Sequence, residues 1–230
     1  MLTALRALLP KRLKKFLRPY AQRYFPSIKF YIEDLEAEKN QIRVRTEDEL
    51  NQQAVGLREI RNVFNSLSIE YFLSGGTLLG IVREGDFIKW DWDIGIDVRV
   101  EDILSKEQAF LKQLSASGFE IVTHYSTPTN FKINAVKYDV RYEVAGLIKV
   151  GDKRFRKAYN YPDELVQKTS VVTLRNEKYT TFYNPELYLG WLYGDWRTPI
   201  RTVDKGAYVT AASRTTAWNR FVANVVSKFH

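Results

Sequence analysis

Residues 71–98 read YFLSGGTLLGIVREGDFIKWDWDIGIDV, and this stretch decides the fold. Tyr71, Phe72 and Leu73 form a short apolar run that reads as a buried strand, broken by Ser74-Gly75-Gly76. Thr77 to Arg83 then reads as a brief helix with the glycines at its amino end. Backbone N–H groups there, with no Cβ to block approach, suit a phosphate. Further along, Asp91, Asp93 and Asp97 alternate with Trp92, Ile94, Ile96 and Val98. On a strand this alternation puts the acids on one face and the apolar residues on the other. Two carboxylates spaced i, i+2 on one face can share divalent cations, as metal-assisted phosphoryl or nucleotidyl transfer requires. Trp90, Trp92 and Ile94 interleave with the acids, so the segment is expected to be partly buried. Buried carboxylates are costly unless paired or metal-bound.

The same residues resemble the LicD family, which includes fukutin and fukutin-related protein, a branch of the nucleotidyltransferase-like fold. The resemblance rests on Gly75-Gly76-Thr77-Leu78-Leu79-Gly80, on Arg83, and on Phe87-Ile88-x-Trp90-Asp91-x-Asp93-Ile94. Tyr188-Leu189 and Leu192-Tyr193-Gly194-Asp195-Trp196-Arg197-Thr198-Pro199 match the family's closing motif. It implies an α+β fold: a nucleotidyltransferase-like mixed β-sheet flanked by helices. It also implies transfer of a phospho-alcohol (phosphocholine, glycerol phosphate or ribitol phosphate) from a CDP-activated donor to a glycan hydroxyl of a cell-surface polysaccharide or glycoconjugate. One departure stands out: Gly95 occupies the place of the pattern's third acid. Asp97, on the same strand face, is one replacement; a weakened or altered metal site is the other reading.

Asp91 and Asp93 are therefore the expected catalytic and metal-binding pair. Asp97 is a further candidate ligand, with a surface ion pair as its alternative. By position in the resemblance, Asp139 is expected to complete the metal shell or take the acceptor proton. Its alternative is a salt bridge to Arg141 or a lysine, and Glu143 lies two positions past Arg141 on the same predicted face. Ser74, Gly75, Gly76 and Thr77 are expected to cradle the donor phosphate, with a packing turn as the other reading. Arg83 suits a phosphate oxygen pair or neutralises Glu84 or Asp86; Lys89 is a second cation for the same anion. Tyr193 to Arg197 reads as a helix end and turn with Gly194 as its cap.

Composition narrows the chemistry. The 230-residue chain has no cysteine and only two histidines, His124 and His230, which excludes disulfides, thiolate metal sites and a histidine-rich zinc site. A metal held by carboxylate oxygen is Mg²⁺ or Mn²⁺. The formal charge of +8 has a local origin, because residues 1–29 carry eight basic residues and no acid. Taking these eight from the 35 basic residues leaves 27 against 27 acidic ones. A nucleic-acid partner is not expected from a formally neutral domain.

Leu9, Leu13, Phe16, Leu17 and Tyr20 recur at helical spacing in the basic segment. Residues 1–30 thus read as a basic amphipathic appendage, and an anionic membrane surface suits residues 1–29; a solvated helix is the alternative. No apolar run approaches the ~20 residues that span a bilayer. Arg6 and Pro10 interrupt the only candidate signal segment. The expected location is cytoplasmic, peripheral at the inner membrane face.

Residues 31–230 read as one domain. Leu50, Ala54, Leu57, Ile60, Phe64 and Leu67 form a helical stripe, and Tyr31 to Lys39 a separate acidic helix. Glu101–Ser117 reads as a helix ended by Gly118, Phe119–Tyr125 and Phe131–Val144 as strands, and Pro185–Tyr193 as a helix. Two other functions share this metal site: a nucleotidyltransferase acting on a small phosphorylated compound or nucleic acid, and a non-catalytic glycan-assembly partner with a decayed site.

Overall fold

The computed structural model describes residues 44–91, 93–127, 130–156, 159–202 and 207–215. The basic appendage and the acidic Tyr31–Lys39 helix lie outside these residues. The described chain opens on helix α1 (Glu47–Ser66), whose start is fixed by a capping box. Thr46 Oγ1 accepts from Glu49 N at 3.3 Å, and Glu49 returns the bond to Thr46 N at 2.8 Å. Leu50, Leu57, Ile60 and Phe64 of its expected stripe are buried.

Strand β1 (Tyr71–Ser74) follows, then α2 (Gly75–Glu84), which starts two residues earlier than the sequence suggests. Next come β2 (Asp93–Arg99), a short helix α3 (Val100–Ile103), a 3₁₀ turn at Leu104–Lys106, and α4 (Glu107–Ala116). The single helix expected over 101–117 is therefore broken in two. Gly118, at φ 79°, ends it as expected.

The other strands are β3 (Glu120–Thr127), β4 (Asn130–Lys137), β5 (Val140–Val150), β6 (Lys153–Arg156), β7 (Tyr159–Pro162), β8 (Thr169–Leu174) and β9 (Glu177–Phe182). Helix α5 (Pro185–Tyr193) ends on Gly194 with the bounds expected from the sequence.

The sheet runs β3-β4-β5-β2-β1-β9-β8, with β6 and β7 extending from the far end of β5. β2 pairs parallel with β5, and β1 parallel with β9; the β1–β2 pair is antiparallel. The mixed sheet flanked by helices is thus present, and acid-bearing β2 lies in its interior. Ile94, Ile96 and Val98 share one core with Leu57, Ile60 and Phe64 of α1 and Phe110 and Leu114 of α4. The opposite core holds Phe72, Leu78, Tyr161, Phe182, Tyr188 and Leu189. A strand covered on both faces can keep polar groups only where partners meet them.

The expected strand over 131–144 is two strands joined by a tight hairpin. Tyr138 and Asp139 form its turn, both at φ 54°, and Lys137 pairs with Val140. Among the described residues, no helix is long and apolar enough to cross a membrane.

Candidate functional site

Three glycines of the GGTLLG run have separate structural duties. Gly75 adopts φ 58°, a left-handed conformation that turns the chain from β1 into α2. A Cβ on Gly80 would stand 2.6 Å from the Asp86 carbonyl oxygen and 2.8 Å from Ile88 N, so this glycine lets the return loop cross the helix closely. Phe87 and Ile88 are buried. Arg175 clamps the loop through both Asp86 oxygens, at 2.9 and 2.7 Å.

That loop delivers Asp91 to the glycine turn. A Cβ on Gly76 would stand 2.0 Å from Asp91 Oδ2, so the carboxylate fills the space a side chain at 76 would occupy. Asp91 N donates to Ile88 O at 2.9 Å, and Arg45 Nε donates to the Asp91 carbonyl at 2.9 Å, fixing the backbone from both sides. The anionic group therefore sits at the amino end of α2, where the helix dipole favours it.

Asp93 opens β2 and is paired with Arg141 of β5. Gly95 explains the departure from the acidic pattern. It stands opposite Ser74 on β1, and a Cβ there would lie 3.0 Å from the Ser74 carbonyl and 3.2 Å from its Oγ. Gly95 N also donates to Thr77 Oγ1 at 2.9 Å, which ties β2 to α2. Across the β2–β5 pair, Gly95 lies opposite Glu143. The carboxylate missing at 95 is thus supplied to this face by the neighbouring strand, bound to Lys132 and Arg156.

Asp97 is fully buried. Arg156 Nε approaches its Oδ1 to 3.2 Å, yet neither carboxylate oxygen accepts a well-formed hydrogen bond. Burial pushes the Asp97 carboxyl up to about 6, against the pull of Arg156. Burial alone would also raise Glu143, but Arg156, Lys132 and Arg141 outweigh it and hold that carboxyl at about 2.

The two acids therefore respond oppositely to pH. Glu143, depressed when folded, contributes stability above its ordinary value of 4.5 that is lost as pH falls toward about 2. Asp97, raised when folded, contributes stability below its ordinary 3.8 that is lost as pH rises through about 6. In thermal melts, the stability of Asp97→Asn relative to the parent should rise between about pH 4 and pH 6, then level off. A difference that is flat across that window would show that the buried carboxyl titrates normally.

The sequence-predicted residues are only partly brought together. Asp91 and Gly76 meet. Asp139 is exposed in the β4–β5 hairpin turn, not on the strand that would carry it to the site face; the turn absorbs it. Arg83 lies in the last turn of α2, eight residues or ~12 Å of helix rise beyond Gly75. It pairs with Glu84 at 2.7 Å and donates to the Trp196 carbonyl at 3.4 Å, which joins α2 to the closing motif. Lys89 is exposed, and its carbonyl accepts from Arg45 N at 2.8 Å. Ser74 is buried, with its Oγ unpartnered, and the Thr77 hydroxyl serves Gly95. Gly75 N–H donates to Tyr188 Oη at 3.0 Å. The remaining first-turn donors belong to Gly76 and Thr77, amides for which a helix supplies no internal partner.

Sequence reading did not single out Glu143 as a site acid, Arg156 as its cation, or Arg45 as a support of Asp91, and it met Arg141 only as a partner of Asp139. The period-two pattern from Arg141 to Glu143 placed both on one face, but pairing across the sheet was needed to see Glu143 opposite Gly95.

The acids at this turn offer oxygen donors, the chemistry of a hard cation. Asp91 and Asp93 are the two that would hold one. The four expected ligands do not converge. Asp97 is buried beside Arg156 and Asp139 is in the hairpin, and among the described residues no three acids come together as a metal-binding group.

The LicD/FKTN/FKRP nucleotidyltransferase domain matches residues 68–179, from the connection after α1 into β9. This stretch belongs to the LicD family. The match takes in β1, the glycine turn, Asp91, Asp93 and Glu143. Ribitol 5-phosphate transferase FKRP of Mus musculus and of Homo sapiens is each 39% identical over 51 residues. Those residues are 22% of this chain and 10% of each relative, so the chain spans about a tenth of the curated relatives it matches. Among solved structures, a candidate nucleotidyltransferase from Thermotoga maritima superposes with a TM-score of 0.40 at 16% identity. The superposition covers 60% of this chain and 84% of that one.

Proposed function

We propose that this LicD domain is a phosphotransferase that moves a phospho-alcohol from a CDP-activated donor to a glycan hydroxyl. The observation that carries the reading is the Asp91 carboxylate packed on Gly76. A diphosphate approaching the amino end of α2 meets N–H donors and, beside them, a fixed negative charge. Two anions at one helix end repel, and a shared cation relieves the conflict. Bound by Asp91 and Asp93, Mg²⁺ or Mn²⁺ would neutralise the diphosphate and stabilise charge on the leaving oxygen.

The chain's own residues do the rest. Gly76 and Thr77 N–H groups face donor phosphate oxygens. Arg141 holds Asp93, and Arg45 and the Arg175–Asp86 clamp fix the loop that carries Asp91. In the transfer, the acceptor oxygen bonds to the phosphorus bearing the alcohol, the bond to CMP breaks, and the hydroxyl proton is released. Positioning and charge neutralisation supply most of such catalysis. A ribitol phosphate donor is favoured by the named activity of the FKRP relatives. Glycerol phosphate and phosphocholine remain in the same chemical class. The basic residues 1–29 suit an anionic membrane surface, near lipid-linked or surface-destined glycans.

The test is release of CMP from CDP-ribitol, CDP-glycerol and CDP-choline by the full chain, with Mn²⁺ and a panel of sugar acceptors. At least one CDP donor should turn over, with UDP-glucose inert. No CMP from any of them would contradict the proposal. A second reading, a non-catalytic partner in glycan assembly, is favoured by the neutralised face: Asp93, Asp97 and Glu143 are each met by an arginine. That reading expects no turnover and no CDP binding.

A further inference from the structure

The closing motif contributes two tyrosines to the glycine turn, in different ways. Tyr188 is fully buried in the middle of α5, and its hydroxyl accepts the Gly75 N–H. Tyr193, the last residue of the same helix, is only half-buried. Its hydroxyl stands 3.8 Å from where a Cβ on Gly75 would be, the one described atom within 4 Å of that point. Outside the turn itself, the Tyr193 phenol is the nearest described side chain to this point.

The placement of Tyr193 is built into the fold. Gly194, at φ 68°, ends the helix immediately after it, with its N–H bonded to Gly190 O at 2.9 Å. Thr210 N donates to Leu192 O at 2.9 Å, which holds the helix end against the later chain. The Tyr208 ring packs on the Tyr193 ring with centroids 6.0 Å apart. Among the described residues, no hydrogen bond engages the Tyr193 hydroxyl. Burial raises its pKa well above the ordinary value, and the charge of Asp91 raises it further. The phenol keeps its proton, and a protonated phenol next to an anion-binding turn is a hydrogen-bond donor.

We propose that Tyr193 contacts the donor, its hydroxyl donating to a phosphate oxygen bound beside Gly75. This rests on the phosphotransferase reading above and adds a donor-binding residue to it. Tyr188, whose hydroxyl is already used within the fold, acts as a structural counterpart.

Tyr193→Phe removes the hydroxyl and little else. A hydrogen bond to a charged oxygen predicts a KM for the CDP donor about tenfold or more above the parent, with a smaller change in kcat and the same melting temperature. Calorimetric titration with CDP and Mn²⁺ should show the same loss of affinity without turnover. Tyr188→Phe should instead lower the melting temperature, because it removes the partner of the part-buried Gly75 N–H. A Tyr193→Phe enzyme with KM and CDP affinity within twofold of the parent overturns the proposal and leaves the phosphotransferase reading intact. A parent that neither binds CDP nor releases CMP overturns both.

Discussion

Asp91→Asn and Asp93→Asn should each lower turnover of a CDP donor by more than about 100-fold, a loss of at least ~3 kcal/mol in the barrier. Both substitutions keep the size of the side chain and remove the charge. At Asp91 the charge is what a shared cation needs, because the carboxylate lies against Gly76 at the amino end of α2. At Asp93 the loss has two parts: one cation ligand goes, and Arg141 loses its carboxylate partner. Both variants should stay folded, and Asp93→Asn should also cost some stability through Arg141. Steady-state CMP release, read beside thermal melts, separates the two effects. Activity within a few-fold of the parent in both variants would remove these acids from the mechanism.

The second large effect comes from one methyl group. In Gly76→Ala the new Cβ would be placed 2.0 Å from Asp91 Oδ2, closer than any non-bonded carbon and oxygen approach. The carboxylate has to swing away from the helix end or the turn has to open. Either change misplaces the group on which the reaction depends, and misplacement by about 1 Å can cost on the order of 100-fold. Turnover should fall nearly as far as in Asp91→Asn, with a smaller change in melting temperature, because the atom displaced is the end of a side chain that can turn away. Gly190→Ala, on α5, is the control. No described atom lies within 4 Å of a Cβ there, so both turnover and melting temperature should match or exceed those of the parent. A Gly76→Ala enzyme with parental activity would show that the contact between Asp91 and residue 76 is incidental.

Much of this was legible in the chain itself. The apolar run ending in Ser74, the Gly-Gly break and the alternation around Asp93 gave β1, α2 and β2 in order. The α1 stripe and the Pro185–Tyr193 helix were equally plain, because the signals of a helix are local. What failed was non-local or atypical. The Tyr138-Asp139 turn has both residues at positive φ but neither glycine nor asparagine, so the run from 131 to 144 read as one strand, whereas Asp139, taken from the family resemblance, lies in its turn. Strands β6 to β9 lie in a segment rich in tyrosine and basic residues, where alternation is poor and pairing partners decide. Gly95 read as a gap in the acidic pattern. Its cause, the Ser74 carbonyl 3.0 Å from the absent Cβ, belongs to the neighbouring strand. The same holds for Glu143, whose place opposite Gly95 follows from sheet register. Arg83 had two readings, and its bond to Glu84 realises the plainer one.

The most direct measurement is calorimetric titration of CDP into the full chain, with Mn²⁺ and with chelator, for the parent and for Asp91→Asn. If the carboxylate on Gly76 and the donor diphosphate share a cation, the parent should bind CDP only when Mn²⁺ is present. Asp91→Asn should then lose at least about tenfold in affinity, ~1.4 kcal/mol. Equal CDP binding with and without the metal, or in both proteins, would contradict the account.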